Sequence, residues 1–189
     1  VGRRSLEGRR VWCGETPRNT MTHALIDDLQ DPLRASNGAR WQLVSDAVMG
    51  GVSRGQLQHG LLDGRRALRM TGVVSLENNG GFLQMAIDLA ADGASVDASA
   101  WRGLALTVRG DGAVYGAHLR SRDVQRPWQS YRARFVAEPT WQLVQLPFAA
   151  FAPHRLDTPL DRRQLRRLGL VAIGSQGAVD LAVAEVRFF

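Results

Sequence analysis

With 189 residues, 44% of them hydrophobic, the chain is long enough for one well-formed core and has the size at which β-sandwiches are single domains. All 24 of its basic residues are arginine; five lie in residues 1–20 against two acids, and residues 21–189 spread 19 arginines among 16 acids, which argues against a nucleic-acid partner. A lone cysteine, Cys13, excludes an intrachain disulfide and a cysteine-rich metal site, and no apolar run approaches the roughly 18 residues that span a bilayer, so a cytoplasmic protein without cofactor is expected.

Residues 1–20 have no apolar periodicity and read as a disordered basic arm or an over-long gene start, followed by a single domain over 21–189. A short helix is predicted over Thr22–Leu29. The next segment, Arg40 to Gly55, supports two readings. Asp46 precedes paired glycines, so its carboxylate can accept backbone N–H bonds from a turn in which Gly50 and Gly51 supply positive φ. Alternatively, Gly51-Val52-Ser53-Arg54-Gly55 fits the G-x-S-x-G elbow of serine hydrolases, with Asp123 and His154 as the acid and base of an esterase. That elbow requires a helix after the serine, whereas Ser53 to Gln58 continues as an alternating strand. The structural turn is therefore preferred, and no residue is assigned a catalytic role.

From residue 41 onward the dominant period is two. Strands are predicted over Val52–Gln58, Ala67–Val74, Gly81–Leu89, 104–109, 115–120, 131–135, Trp141–Leu146, Leu168–Ile173 and around Leu181 and Val183. Gly110-Asp111-Gly112-Ala113 reads as a hairpin turn. A second short helix is predicted over Asp161–Arg167, where the acid at its start and arginines at its end suit the helix dipole. The fold class is an all-β antiparallel sandwich with one or two short peripheral helices.

Several polar residues point outward from these strands: Arg109, then His118 and Arg120, then Arg132 and Arg134. If the strands are neighbours, one sheet face carries a band of cations, either a solvated face or a surface for an acidic protein segment or a polar ligand. Trp128, after Arg126-Pro127 at a loop edge, is a candidate stacking residue. The four histidines lack metal-site spacing, and no metal is expected.

The motifs W-x-x-V-S-D-A-V-M-G-G-V-S-R-G at 41–55, V-V-S-L-E-N-N-G-G-F at 73–82, R-G-D-G-x-x-Y at 109–115, S-Y-R-A-R-F at 130–135, L-P-F-x-x-F at 146–151 and L-G-L at 168–170 occur in this order. Together they resemble the complex I intermediate-associated assembly protein family, from Asp27 to Phe189. The resemblance implies a galactose-binding-like jelly roll that acts without catalysis, as a chaperone-like factor contacting partner proteins while a respiratory NADH:ubiquinone oxidoreductase is assembled. It marks Trp41, Asp46, Gly50, Gly51, Ser53, Gly80, Gly81, Gly110, Asp111 and Tyr115 as motif positions of structural turns. The arginine-only composition looks bacterial. A carbohydrate or small polar ligand module using loops at one end of the sandwich is the alternative, because fold alone does not fix function.

Overall fold

Period-two alternation is how a strand keeps one face dry, and here it builds two such faces that close on each other. The computed structural model describes residues 24–189; the expectation for residues 1–20, and Cys13 with it, lies outside them. The strands are β1 (Leu25–Asp27), β2 (Gln42–Ser45), β3 (Arg54–Leu62), β4 (Arg65–Val74), β5 (Phe82–Asp88) and β6 (Gly103–Gly110). They continue as β7 (Val114–Ser121), β8 (Ser130–Val136), β9 (Gln142–Pro147), β10 (Ala152–His154), β11 (Leu165–Ile173) and β12 (Gly177–Phe188).

Every pairing is antiparallel. The first sheet runs β3-β4-β12-β6-β9, with β1 also on β12, and the second runs β10-β8-β7-β11-β5-β2. Their inner faces meet in one core: Met70, Leu106, Val108 and Leu181 from the first sheet pack against Met85, Ile87, Leu119, Tyr131 and Leu170 from the second, all fully buried. The twelve-residue β12 is the spine of the first sheet, pairing with β4 through Gly177–Val183 and with β6 through Leu181–Phe188. β3 and β4 form an unbroken hairpin from Arg54↔Val73 to Leu62↔Arg65, closed by Asp63-Gly64 with φ of 48° and 76°, the pair of positive values a two-residue hairpin turn requires.

Both predicted helices are corrected. Leu25–Asp27 is strand β1, and the chain at Leu29 has φ of 57°, which no helix tolerates. Asp161–Arg167 holds only a 3-10 turn at Arg162–Gln164, capped by the Asp161 carboxylate accepting from the Arg163 N–H at 3.0 Å. Leu165 then enters the core as the first residue of β11, because Leu168 and Leu170 are needed there with strand spacing.

The Asp-Gly turn after β6 is also not a hairpin. β6 belongs to the first sheet and β7 to the second, so residues 110–113 carry the chain across the sandwich. Gly112, at φ of 82°, makes the turn possible. Tyr115 ties it down from inside: its hydroxyl lies 3.0 Å from Asp111 Oδ1 and 3.2 Å from the Asp180 carbonyl, and it accepts from the Asp180 N–H at 3.1 Å. A single phenol thus links the crossover and β12 to the second sheet.

Tyr115→Phe, which keeps the ring and strands those partners, is expected to cost about 1–2 kcal/mol. Urea unfolding should show a lower midpoint at unchanged slope; an unshifted midpoint would mean the hydroxyl contributes nothing.

Candidate functional site

The motif around Asp46 is a structural knot. Asp46 opens a 3-10 turn at Asp46–Met49 and is fully buried, where an unpaired carboxylate would be costly. Its oxygens accept from the Ser53 hydroxyl (2.5 Å), the Ser53 N–H (3.0 Å) and the Gly81 N–H (2.6 Å). Burial, the largest single influence, pushes its pKa up, but the Ser53 hydroxyl and the Gly81, Ser53 and Phe82 N–H groups outweigh it and hold the carboxyl below 3.8.

The glycines serve this carboxylate in a way that differs from the positive-φ expectation. Of the Gly50-Gly51 pair only Gly50 has it, at 86°; Gly51 is needed for its missing side chain, since a Cβ there would lie 2.3 Å from Asp46 Cγ. Gly80 is held to the same rule, with a Cβ 2.5 Å from Asp46 Oδ2, and Gly81 donates the N–H. Ser53 Oγ also accepts from the Ser75 N–H at 2.9 Å. Its proton is committed to Asp46, and β10, which carries His154, is at the edge of the second sheet remote from β2 and β3. Asp123 accepts from Ser121 instead. The esterase constellation is not assembled. Trp41 is half-buried and donates from Nε1 to the buried Asp27 carboxylate at 2.7 Å.

The cationic band is partly redrawn. Arg109 lies on β6, in the first sheet, and is ion-paired with Asp63, so it does not join the others. His118, Arg120, Arg132 and Arg134 do share one face, the outer face of the second sheet, on the neighbouring strands β7 and β8. One rung crosses all six strands as Ala152, Arg132, His118, Gly169, Ala86 and Gln42. The next rung carries Arg134, Gly116, Val171, Gln84 and Val44.

The middle of this face is not the open wet surface that alternation predicts. Ala86 and Val171 are buried, with 0% and 1% exposure, although they point away from the core. Gly116 and Gly169 explain it: a Cβ on Gly116 would lie 2.9 Å from His118 Nε2, and one on Gly169 would lie 2.6 Å from the Gln84 amide carbon. The missing side chains let His118 and Gln84 lie down across the sheet, producing a low floor of polar edges. Burial first, then Arg132 and His154, depress the His118 pKa to about 3, so the imidazole is neutral near pH 7.

The two sheets also differ in how their outer charges are partnered. On the first sheet Arg69 pairs with Asp180 (2.5 Å) and Arg109 with Asp63. On the second, among the described residues, only Arg167 has a carboxylate, Asp88 at 3.2 Å; Arg132 donates to Ser130 Oγ at 2.9 Å and Arg120 to the Arg126 carbonyl at 3.2 Å. Trp128 is 53% exposed on the loop between β7 and β8. Gln129 pins that loop, accepting from the Gln125 and Arg126 N–H groups and donating to the Arg155 carbonyl. Among the described residues no cluster of three or more His, Cys, Asp or Glu could hold a metal, and no helix is long and apolar enough to cross a membrane.

The family model described as complex I intermediate-associated protein 30 (CIA30) matches residues 31–183. A search of curated proteins found no match. Among solved structures, a family 11 carbohydrate-binding module of a cellulosomal cellulase of Clostridium thermocellum is similar with a TM-score of 0.66 at 13% identity, over 88% of this chain and 94% of that one. A structure of a Clostridium thermocellum family 11 module in complex with a β-1,3-1,4-mixed-linked tetrasaccharide aligns with a TM-score of 0.61 at 13% identity, over 88% and 95%. A family 30 carbohydrate-binding module gives 0.60 at 12% identity, over 90% of each chain. At these identities the likeness is one of fold.

Two stability measurements follow from these groups. Because Asp46 is held below 3.8 in the folded state, its stabilisation is complete above that pH and is lost as pH falls through the lower folded value. Asp46→Asn should cost about 2–4 kcal/mol at neutral pH and flatten the acid limb of a denaturation profile; an unchanged limb would dissociate Asp46 from acid stability. The neutral His118 has the same sign over a different window. Stability should decline as pH drops from 6.5 towards about 3, and His118→Gln should remove that part of the slope.

Proposed function

The chain belongs to the complex I intermediate-associated protein 30 (CIA30) family, and we propose that it is a non-catalytic binding domain that takes a polar, extended ligand of saccharide type on the outer face of its second sheet. The observation that carries this reading is the covered floor of that face. Gly116, Gly169 and Ala86 lower it, and His118, Gln84 and Arg132 lie over it with hydrogen-bonding edges available. A neutral imidazole, an amide and guanidinium groups suit hydroxyl-rich ligands, which need both donors and acceptors at fixed positions. Trp128, exposed on a pinned loop, offers an aromatic plate at the rim. The carbohydrate-binding modules that share the fold supply the precedent, which is one of architecture alone.

The residues of the Asp46 knot have no part in binding on this reading, since their hydrogen-bonding capacity is used internally. A second reading, a protein partner met during assembly of a respiratory complex, is favoured by the family match over residues 31–183. The two make different demands. A saccharide needs only the sheet face and a free glycan, whereas an assembly factor must be recovered with its partner.

Calorimetric titration with a panel of soluble oligosaccharides should reveal at least one ligand of the wild-type protein. Trp128→Ala should then weaken binding by about 1–1.5 kcal/mol, roughly tenfold. Absence of binding across the panel, with respiratory-complex subunits co-purifying from the host, would replace the saccharide reading with the protein one.

A further inference from the structure

At the end of the same face, one rung beyond His118, three arginines converge where the architecture makes room for them. Across the sheet Arg167 on β11 stands opposite Arg120 on β7 and Asp88 on β5. The β11–β7 register slips between Leu165, which faces Ser121, and Arg167, which faces Arg120. Arg166 is therefore an extra residue, a β-bulge, pinned on the other side by the Leu89 N–H donating to its carbonyl at 2.8 Å. A bulge breaks the alternation that would send consecutive side chains to opposite faces, so Arg166 and Arg167 both line the same cavity. That cavity has a volume of about 170 Å³ and is bounded by Asp88, Arg120, Ser121, Val124, Arg166 and Arg167.

The charge account is unbalanced. Asp88 is the one carboxylate lining the cavity, and it is paired with Arg167. Arg120 has only the Arg126 carbonyl, and the Arg166 guanidinium has no hydrogen-bond or ion-pair partner among the described residues. Burial first, then the neighbouring Arg167 and Arg166, lower the Arg120 pKa. The arginines of the concavity beside β9 and β10 are engaged by contrast: Arg162 donates to the Trp101 carbonyl and lies over the Phe148 ring, and Arg102 lies over Phe189.

We infer that the bulge cavity is an anion subsite, in which Arg120 and Arg166 receive the carboxylate or sulfate of an acidic saccharide lying on the adjoining face. The guanidinium fork matches the planar or tetrahedral oxygens of such groups, and partial burial at the cavity makes the charge-assisted bonds stronger than on an open surface. The saccharide part rests on the binding role proposed for the face; the anion part rests on the cavity alone. The cavity adjoins the His118 rung, about 7 Å away at two residues of strand rise, so a sugar ring over His118 can place a substituent in it.

The full chain and its Arg166→Gln and Arg120→Gln variants are titrated with sodium sulfate, with a tetragalacturonate and with a neutral glucose tetrasaccharide, binding being read by calorimetry and thermal shift. Arg166 is exposed and has no side-chain partner among the described residues, so its variant should keep the wild-type melting temperature in the absence of ligand. Tetragalacturonate should bind the wild type, and Arg166→Gln should bind it roughly tenfold or more weakly. Sulfate should stabilise the wild type and fail to stabilise either variant. Binding of the neutral tetrasaccharide without response to sulfate or galacturonate would overturn the anion subsite and leave the face as a saccharide site. A sulfate response that Arg166→Gln abolishes, with no saccharide bound, would keep the anion cavity but overturn its assignment to a saccharide. Equal binding of sulfate or tetragalacturonate by the wild type and both variants would remove the cavity from the account.

Discussion

The Asp46 carboxylate sets the frame in which the rest of the molecule is read. One carboxylate, buried and charged, accepts hydrogen bonds from Ser53 immediately before β3 and from Gly81 immediately before β5. β3 belongs to the first sheet and β5 to the second, so a single side chain fixes where each sheet begins. A strand that slips by one residue exchanges its two faces. For β5 that would send Leu83, Met85 and Ile87 to the surface and bring Gln84 and Asp88 into the core. The polar floor therefore depends on a group that never touches it.

The two outer faces of the sandwich have been given different chemistry from the same residue types. On the first sheet, arginine meets aspartate across strands, as in Arg69 with Asp180, and such exposed pairs contribute little energy while leaving little potential. On the second, the guanidinium groups of Arg120, Arg134 and Arg166 have no carboxylate partner among the described residues, and the neighbouring surface at the His118 and Arg134 rungs is lowered by glycine and alanine. Dense positive charge without counter-charge destabilises a fold slightly through self-repulsion. The asymmetry between faces, rather than the net charge of the chain, is the feature on which the proposed binding side rests.

Much of the architecture was legible because strands with one dry face write themselves as alternation. Leu104, Leu106 and Val108, Tyr115, Ala117 and Leu119, and Tyr131, Ala133 and Phe135 all point inward as that pattern requires. What local pattern could not carry was destination. Asp111-Gly112 encodes a tight turn, and the same chemistry serves a hairpin or a crossover; here it is a crossover, which removed Arg109 from the band. The short strands β1, β2 and β10 were missed, having three or four residues, too few for a period to emerge. The floor was hidden for a further reason: Gly116 and Gly169 are 53 positions apart and become one surface only through the register of β7 with β11. The adjacent Arg166 and Arg167 were visible, but the bulge that aims both at one cavity was not.

β12 is the last strand of the described residues and sits in the middle of the first sheet, with β4, β6 and β1 all pairing to it. A polypeptide made from its N-terminus can assemble the second sheet, whose strands all precede residue 174, before the spine of the first exists. Until Gly177–Phe188 leaves the ribosome, the β3–β4 hairpin and the β6–β9 pair have no common partner, and their apolar faces wait uncovered. Such long-range closure is slow and leaves unpaired strand edges open to other chains. Synthesis of this domain therefore has a vulnerable interval that ends only once Gly177–Phe188 has been made, and a chain stopped short of those residues would lack the strand that joins the halves of its first sheet.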